Sequence, residues 1–158
     1  YNRPVSERVV LEAMFARGNQ VKIKREGFSL LDMKTYLEGI GYTANGFQAP
    51  LEKLVDTTTP AIVLVRENGY NHFVVVKGLN ERKVLVGDPA IGTRVLPREQ
   101  FSKLWTNGIV FVIHGKGVKG SFNASADWAI RPSAPLGEAI ARESLANITV
   151  SRFGSGDF

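Results

Sequence analysis

Two histidines and no cysteine among 158 residues set the terms for any side-chain chemistry in this chain. His72 stands early in the run YNHFVVVKG, and Asp88 closes the run KVLVGD. Both runs are rich in β-branched residues and are read as strands over 70–78 and 83–88. Alternation places His72, Val74 and Val76 on one face of the first strand, and Val84, Val86 and Asp88 on one face of the second. With the connecting loop centred on Asn80, His72 falls directly across from Asp88, where opposed Cβ atoms lie about 4.5–5.5 Å apart. A loop centred half a residue away would send the two groups to opposite faces, so the pairing rests on register. A carboxylate that accepts from one imidazole nitrogen fixes the tautomer, orients the ring and stabilises the imidazolium formed when the other nitrogen takes a proton. Such a pair is a general base awaiting a nucleophile. It is also readable as a structural hydrogen bond at a strand end, and spacing alone leaves both readings open.

Other candidates default to structure. His114 ends an apolar strand with no acidic neighbour in sequence, and Ser6 and Ser29 are better used as helix caps than as nucleophiles. The absence of cysteine excludes disulfides, thiolate metal sites and a cysteine nucleophile within these residues. No His, Asp or Glu cluster has metal-ligand spacing and no glycine-rich loop follows a strand, so neither metal nor cofactor is expected.

The elements that must position His72 and Asp88 fall in a clear order. Residues 5–17 read as a helix, with Ser6 as N-cap, Gly18 as a left-handed C-terminal residue, and a stripe of Val9, Val10, Ala13 and Met14. Asn19 to Gly27 reads as a solvated connector, although Arg17, Lys22, Lys24 and Arg25 offer a weak footing for an anionic polymer. Ser29 caps a second helix with Asp32 in a capping-box variant and Gly41 as its stop, and Leu30, Met33, Leu37 and Ile40 make its core face. An extended passage over 42–50 and a short helix from Leu51 precede Pro60. Strands then follow at 61–67, 70–78, 83–88, 93–97 and 109–113, with Asn68-Gly69 as a hairpin turn and a helical stretch at 98–105 bringing Phe101 and Trp105 to the core. Helices first and an antiparallel meander after define an α+β domain with helices packed on the sheet. The composition loosens from Gly115, dividing the chain into a domain over 1–114 and a tail over 115–158. For that tail one helix (136–148), docking and disorder all stay open.

A composition of 44% hydrophobic, 22% charged and 9% aromatic residues is that of an ordinary globular chain. The net charge of +5 is spread along the sequence without an arginine-rich arm, so no nucleic-acid partner is expected. No apolar run approaches the roughly 18 residues needed to span a bilayer.

The segments GFSLLDMKTYLEGIG (27–41), PAIVLV (60–65), NHFVVV (71–76) and VGDPAIG (86–92), in this order and spacing, resemble the double-glycine, bacteriocin-processing cysteine peptidases of the papain-like type. Among these the resemblance is to the stand-alone members of functional-amyloid secretion systems, and it covers residues 1–113. It implies a papain-like fold, His72 as general base and Asp88 as the acid that orients it. It further implies a peptide or exported protein as substrate, amyloid-secretion components as partners and a periplasmic location. In that family the nucleophilic Cys opens the first helix and an oxyanion Gln lies slightly upstream; both would precede Tyr1, and Gln20 and Gln48 lie downstream of that place. The expectation is therefore of a cysteine peptidase whose first helix is missing from this chain, inactive as it stands. Its uncovered apolar surface would invite a second copy or an exchanged segment. The alternative is a non-catalytic peptide-docking domain of the same fold.

Overall fold

A computed structural model describes residues 5–105, 107–115 and 120–129. Three helices open the described chain: α1 (Glu7–Arg17), α2 (Gln20–Glu26) and α3 (Leu30–Gly39). They are followed by β1 (Thr43–Gln48), α4 (Glu52–Thr57), β2 (Ala61–Glu67), β3 (Tyr70–Leu79), β4 (Lys83–Asp88), β5 (Gly92–Pro97), α5 (Arg98–Leu104), β6 (Ile109–His114) and α6 (Ser125–Trp128). The strands form one antiparallel sheet in the order β1-β6-β2-β3-β4-β5. The α+β reading and the order of its elements hold. Among the described residues, no helix is long and apolar enough to cross a membrane.

Alternation builds the core. Ala61, Val63 and Val65 of β2, Val74 and Val76 of β3, Val84 and Val86 of β4 and Leu96 of β5 join one buried cluster with Val110 and Val112 of β6. Leu51 and Leu54 from the α4 region and Phe101 of α5 close it, with Trp105 packed against its edge. Asn68 and Gly69 both take positive φ, 50° and 84°, which is the twist a two-residue hairpin turn needs, so β2 and β3 pair without slack from Ala61↔Val76 to Glu67↔Tyr70.

The helical half departs from expectation in several places. Residues 20–26 are helical rather than a connector: the Asn19 side chain accepts from the Lys22 N–H at 3.0 Å and Ile23 supplies a buried anchor. One capped turn with one core residue was too little periodicity to read in sequence. On α2, Lys24 lies over the Phe15 ring at 5.7 Å and Arg25 pairs with Glu26. Gly18 is not left-handed but extended, at φ −90°. Its lack of a side chain matters because a Cβ there would lie 2.5 Å from Ile23 Cδ1 and 2.9 Å from Asp32 Oδ1. Ser6 occupies the N-cap position of α1 without a side-chain cap bond. Val9 is 56% exposed, and Leu30, Met33, Leu37 and Ile40 are only half-buried. The buried residues of this half are Met14, Phe15, Ile23 and Tyr36. The helices meet the sheet through β1, where Lys34 of α3 donates to the Ala44 carbonyl at 2.6 Å and to Asn45 Oδ1 at 3.0 Å. The 136–148 helix pattern lies outside the described residues.

The start of α3 is held by the capping box anticipated from Ser29 and Asp32. Ser29 Oγ accepts from the Asp32 N–H at 3.2 Å, while Asp32 Oδ2 accepts from the Ser29 N–H at 2.8 Å. Ser29→Ala is expected to cost about 1 kcal/mol of unfolding free energy in urea titrations. Adding Asp32→Ala should cost less than its own single-variant value, because the box is reciprocal. Strict additivity would show that the two caps act independently.

Candidate active site

His72 enters the site through two registers. On β2 it pairs with Val65, which puts it on the core face of the sheet. On β4 the register is Leu79↔Val84 and Gly78↔Leu85, then shifts between Val76 and Gly78, and continues as Val76↔Val86 and Val75↔Gly87. The connecting turn is centred between Glu81 and Arg82, with the Asn80 side chain accepting from the Arg82 and Lys83 N–H groups at 3.0 and 2.8 Å. That displacement of one and a half residues from Asn80 would by itself have placed His72 and Asp88 on opposite faces. The β-bulge at Lys77 adds one unpaired residue and restores the parity. Direct opposition is thereby corrected: continued along the strand, the register sets Val74 across from Asp88, and His72 is its diagonal neighbour on the same face. Diagonal neighbours remain within reach of long side chains, and His72 Nε2 lies 3.1 Å from Asp88 Oδ2.

Asp88 is fixed from three directions. The residue before a proline favours extended backbone, so β4 ends at Asp88, and its Oδ1 accepts from the Ala90 N–H at 2.9 Å. Its Oδ2 accepts from His72 and, at 3.3 Å, from Arg94 Nη2. The Asp88 side chain is 1% exposed and that of His72 is 32% exposed. The carboxylate is thus a buried base plate under a ring that still reaches solvent.

Two residues of the cluster were missed in the sequence. Arg94 pairs with Val86 on β5 and so faces inward, and Glu67 follows Val63 and Val65 on the inward face of β2. Arg94 Nη1 and Nη2 donate to Glu67 Oε1 and Oε2 at 3.2 and 2.8 Å, a two-pronged pair. The available signal was a pair of opposite charges at core-facing positions of short strands, legible only once the β4–β5 register is known. Hydrogen bonding to Arg94 holds the Glu67 carboxyl below the ordinary carboxylate range, against the opposing effect of burial; the same bond raises the Arg94 guanidinium further. Arg94 Nε is buried without a hydrogen-bond partner. Such a group costs about 1–3 kcal/mol, so the cluster is not a simple source of stability.

Ligand atoms of Glu67, His72 and Asp88 lie within 4.8 Å of one another, a grouping that spacing along the chain did not show. The Arg94 guanidinium already bridges both carboxylates, and its fixed positive charge opposes a cation among them. The chemistry of the set is that of an ion-pair chain. His114 takes no part: Val112 sits across from Ala61, so β6 carries His114 beyond the start of β2, at the end of the sheet away from Glu67.

An ionised carboxylate only accepts, so the His72–Asp88 bond requires the proton on Nε2 and leaves the Nδ1 lone pair free. The arrangement can take a proton at Nδ1 while Asp88 stabilises the resulting imidazolium.

Helices set against one antiparallel sheet make the fold that solved papain-like peptidase domains share. The peptidase domain of Streptococcus ComA, a bifunctional ABC transporter, superposes with a TM-score of 0.59 at 22% identity, over 73% of this chain and 82% of that one. The chain belongs to the Peptidase C39 family, whose model matches residues 18–117. It is 40% identical over 117 residues to a probable functional amyloid protease, FapD, of Pseudomonas aeruginosa, covering 74% of this chain and 51% of that protein. The FapD of Pseudomonas fluorescens is 41% identical over 113 residues, covering 72% and 50%. The chain therefore spans about half the length of these curated relatives.

A depressed folded-state pKa stabilises above the unfolded value and is lost as pH falls through the folded one. Glu67→Gln should thus lower the urea midpoint at pH 7, and its gap from the natural chain should close as pH falls below about 4.3. A gap that persists unchanged to pH 2 would exclude the Glu67–Arg94 pair as its source.

Proposed function

We propose that this chain is the base-bearing part of a cysteine peptidase that cleaves a peptide or exported protein substrate in a bacterial export or functional-amyloid secretion system, in the periplasm. The observation that carries the reading is the 3.1 Å contact from His72 Nε2 to the buried Asp88, which leaves Nδ1 as the atom able to exchange a proton. The family membership and the likeness to two probable functional amyloid proteases support it.

In this reading the nucleophile is a Cys encoded ahead of Tyr1. His72 Nδ1 takes its proton, and the thiolate attacks the carbonyl carbon. A Gln side chain and backbone N–H groups of the same upstream segment hold the oxyanion. The imidazolium then gives its proton to the departing amine, leaving a thioester. Water adds to the thioester with His72 again as base, which releases the acid and restores the thiol. Asp88 keeps the ring in one orientation through both proton transfers.

A second reading is a peptide-docking domain of the same fold that does not cut. Extending the chain by the segment its gene encodes before Tyr1, and assaying peptide cleavage, separates the two. Under the peptidase reading the extended protein cleaves, and His72→Ala lowers kcat/KM at least about 100-fold. Equal rates with and without the imidazole would end it, and peptide binding with no cleavage by either protein would select docking.

A further inference from the structure

The bulge that decides the parity of β3 and β4 is gripped by a segment remote in sequence. β2 begins at Ala61, opposite Val76, so among the described residues no strand lies beside the β2-side edge of β3 beyond Val76. Asn123 takes that place. Its N–H donates to the Lys77 carbonyl at 2.9 Å, its Oδ1 accepts from the Leu79 N–H at 2.8 Å, and its Nδ2 donates to the Leu79 carbonyl at 3.1 Å. One side-chain amide thus replaces a peptide unit of the missing ladder and satisfies backbone groups that would otherwise be orphaned next to the bulge. Asn123 adopts the left-handed conformation, φ 57°, which asparagine tolerates better than most residues. The fit is close. A Cβ on Gly78 would lie 2.4 Å from Asn123 Oδ1 and 3.2 Å from the Trp128 ring, and the bulged Lys77 itself pairs with Asp127 at 2.7 Å.

We propose that Asn123 is a positioning residue: by pinning the bulge at Lys77 it holds β3 in the register that brings His72 to Asp88. It touches neither side chain and acts only through the β3 backbone. The catalytic meaning of this control rests on the peptidase reading above; the geometry it controls does not.

The test reads the imidazole directly, without a cleavage assay, so loss of the peptidase reading would leave it intact. In the natural chain, NMR should show a downfield His72 Nε2–H proton held by Asp88 and a slowly exchanging Leu79 amide. Asn123→Gly, which relieves the positive φ but removes the amide, should broaden or erase the His72 signal and speed Leu79 exchange at least about tenfold. Gly78→Ala, which pushes the segment away, should do the same. Asp127→Asn breaks only the neighbouring ion pair and should leave the His72 signal in place. If Asn123→Gly folds and retains that signal, the proposal fails; it also fails if Asp127→Asn erases the signal equally, since docking of the segment as a whole would then be responsible. Should Asn123→Gly not fold, Asn123→Asp decides: it keeps the acceptor for the Leu79 N–H but sets a carboxylate oxygen against the Leu79 carbonyl. An undiminished His72 signal in that variant overturns the assignment.

Discussion

Because successive side chains of a strand alternate between faces, one extra residue in β3 determines whether His72 and Asp88 share a side of the sheet. The turn between β3 and β4 is centred between two residues, and a regular ladder running from it would carry the imidazole to the face away from the carboxylate. The bulge at Lys77 shifts the register by one residue and so returns the two groups to one face, as diagonal neighbours. It also lets Val74 and Val76 on one strand and Val84 and Val86 on the next all enter the same core. Burial of those four valines and approach of the two polar groups are therefore a single choice of register. The apolar residues supply the driving force, at roughly 1.5–3 kcal/mol for each side chain fully buried, and the polar pair is carried into place by it.

The same face of the sheet passes from hydrocarbon to charge within one residue step. Val65, Val74 and Val86 are essentially sealed from solvent, and Glu67, His72, Asp88 and Arg94 follow them at one end. This placement strengthens the interactions among the four groups while making each unsatisfied atom expensive. Asp88 answers that constraint with a donor for each oxygen, one of them a backbone N–H two residues ahead. The His72 ring has less of its surface covered and still reaches solvent. Arg94 balances two carboxylates at once, so the acid beneath the histidine is one member of a chain of alternating charges rather than an isolated ion.

The helical half joins the sheet differently. Its internal contacts centre on Met14, Phe15, Ile23 and Tyr36, and Lys34 ties α3 to the β1 backbone. Its apolar stripe of Leu30, Met33, Leu37 and Ile40 is only half covered, whereas the valine face of the sheet is closed. The two halves thus carry different chemistry: a sealed sheet face that aims an imidazole, and a helical layer held by caps and a few buried anchors.

Local rules in the sequence determined much of this. Alternation in 61–67 and 70–78 declared the strands, Asn68-Gly69 declared their turn, and Ser29 with Asp32 declared the cap of α3. These signals are legible because each depends only on residues a few positions apart. The identities of His72 and Asp88 as a candidate pair came from the same alternation, aided by resemblance. Tertiary structure alone decided how they meet. A turn centre and a bulge each shift parity by one, strand propensities do not resolve a single residue, and two compensating shifts leave no trace in the hydrophobic pattern. Arg94 and Glu67 joined the site through a further strand pairing, and Asn123 reached the bulge from 44 residues beyond Leu79. Partners at such separations are selected by the packing of the whole sheet, because the free energy that brings them together is spread over a core to which they themselves contribute little.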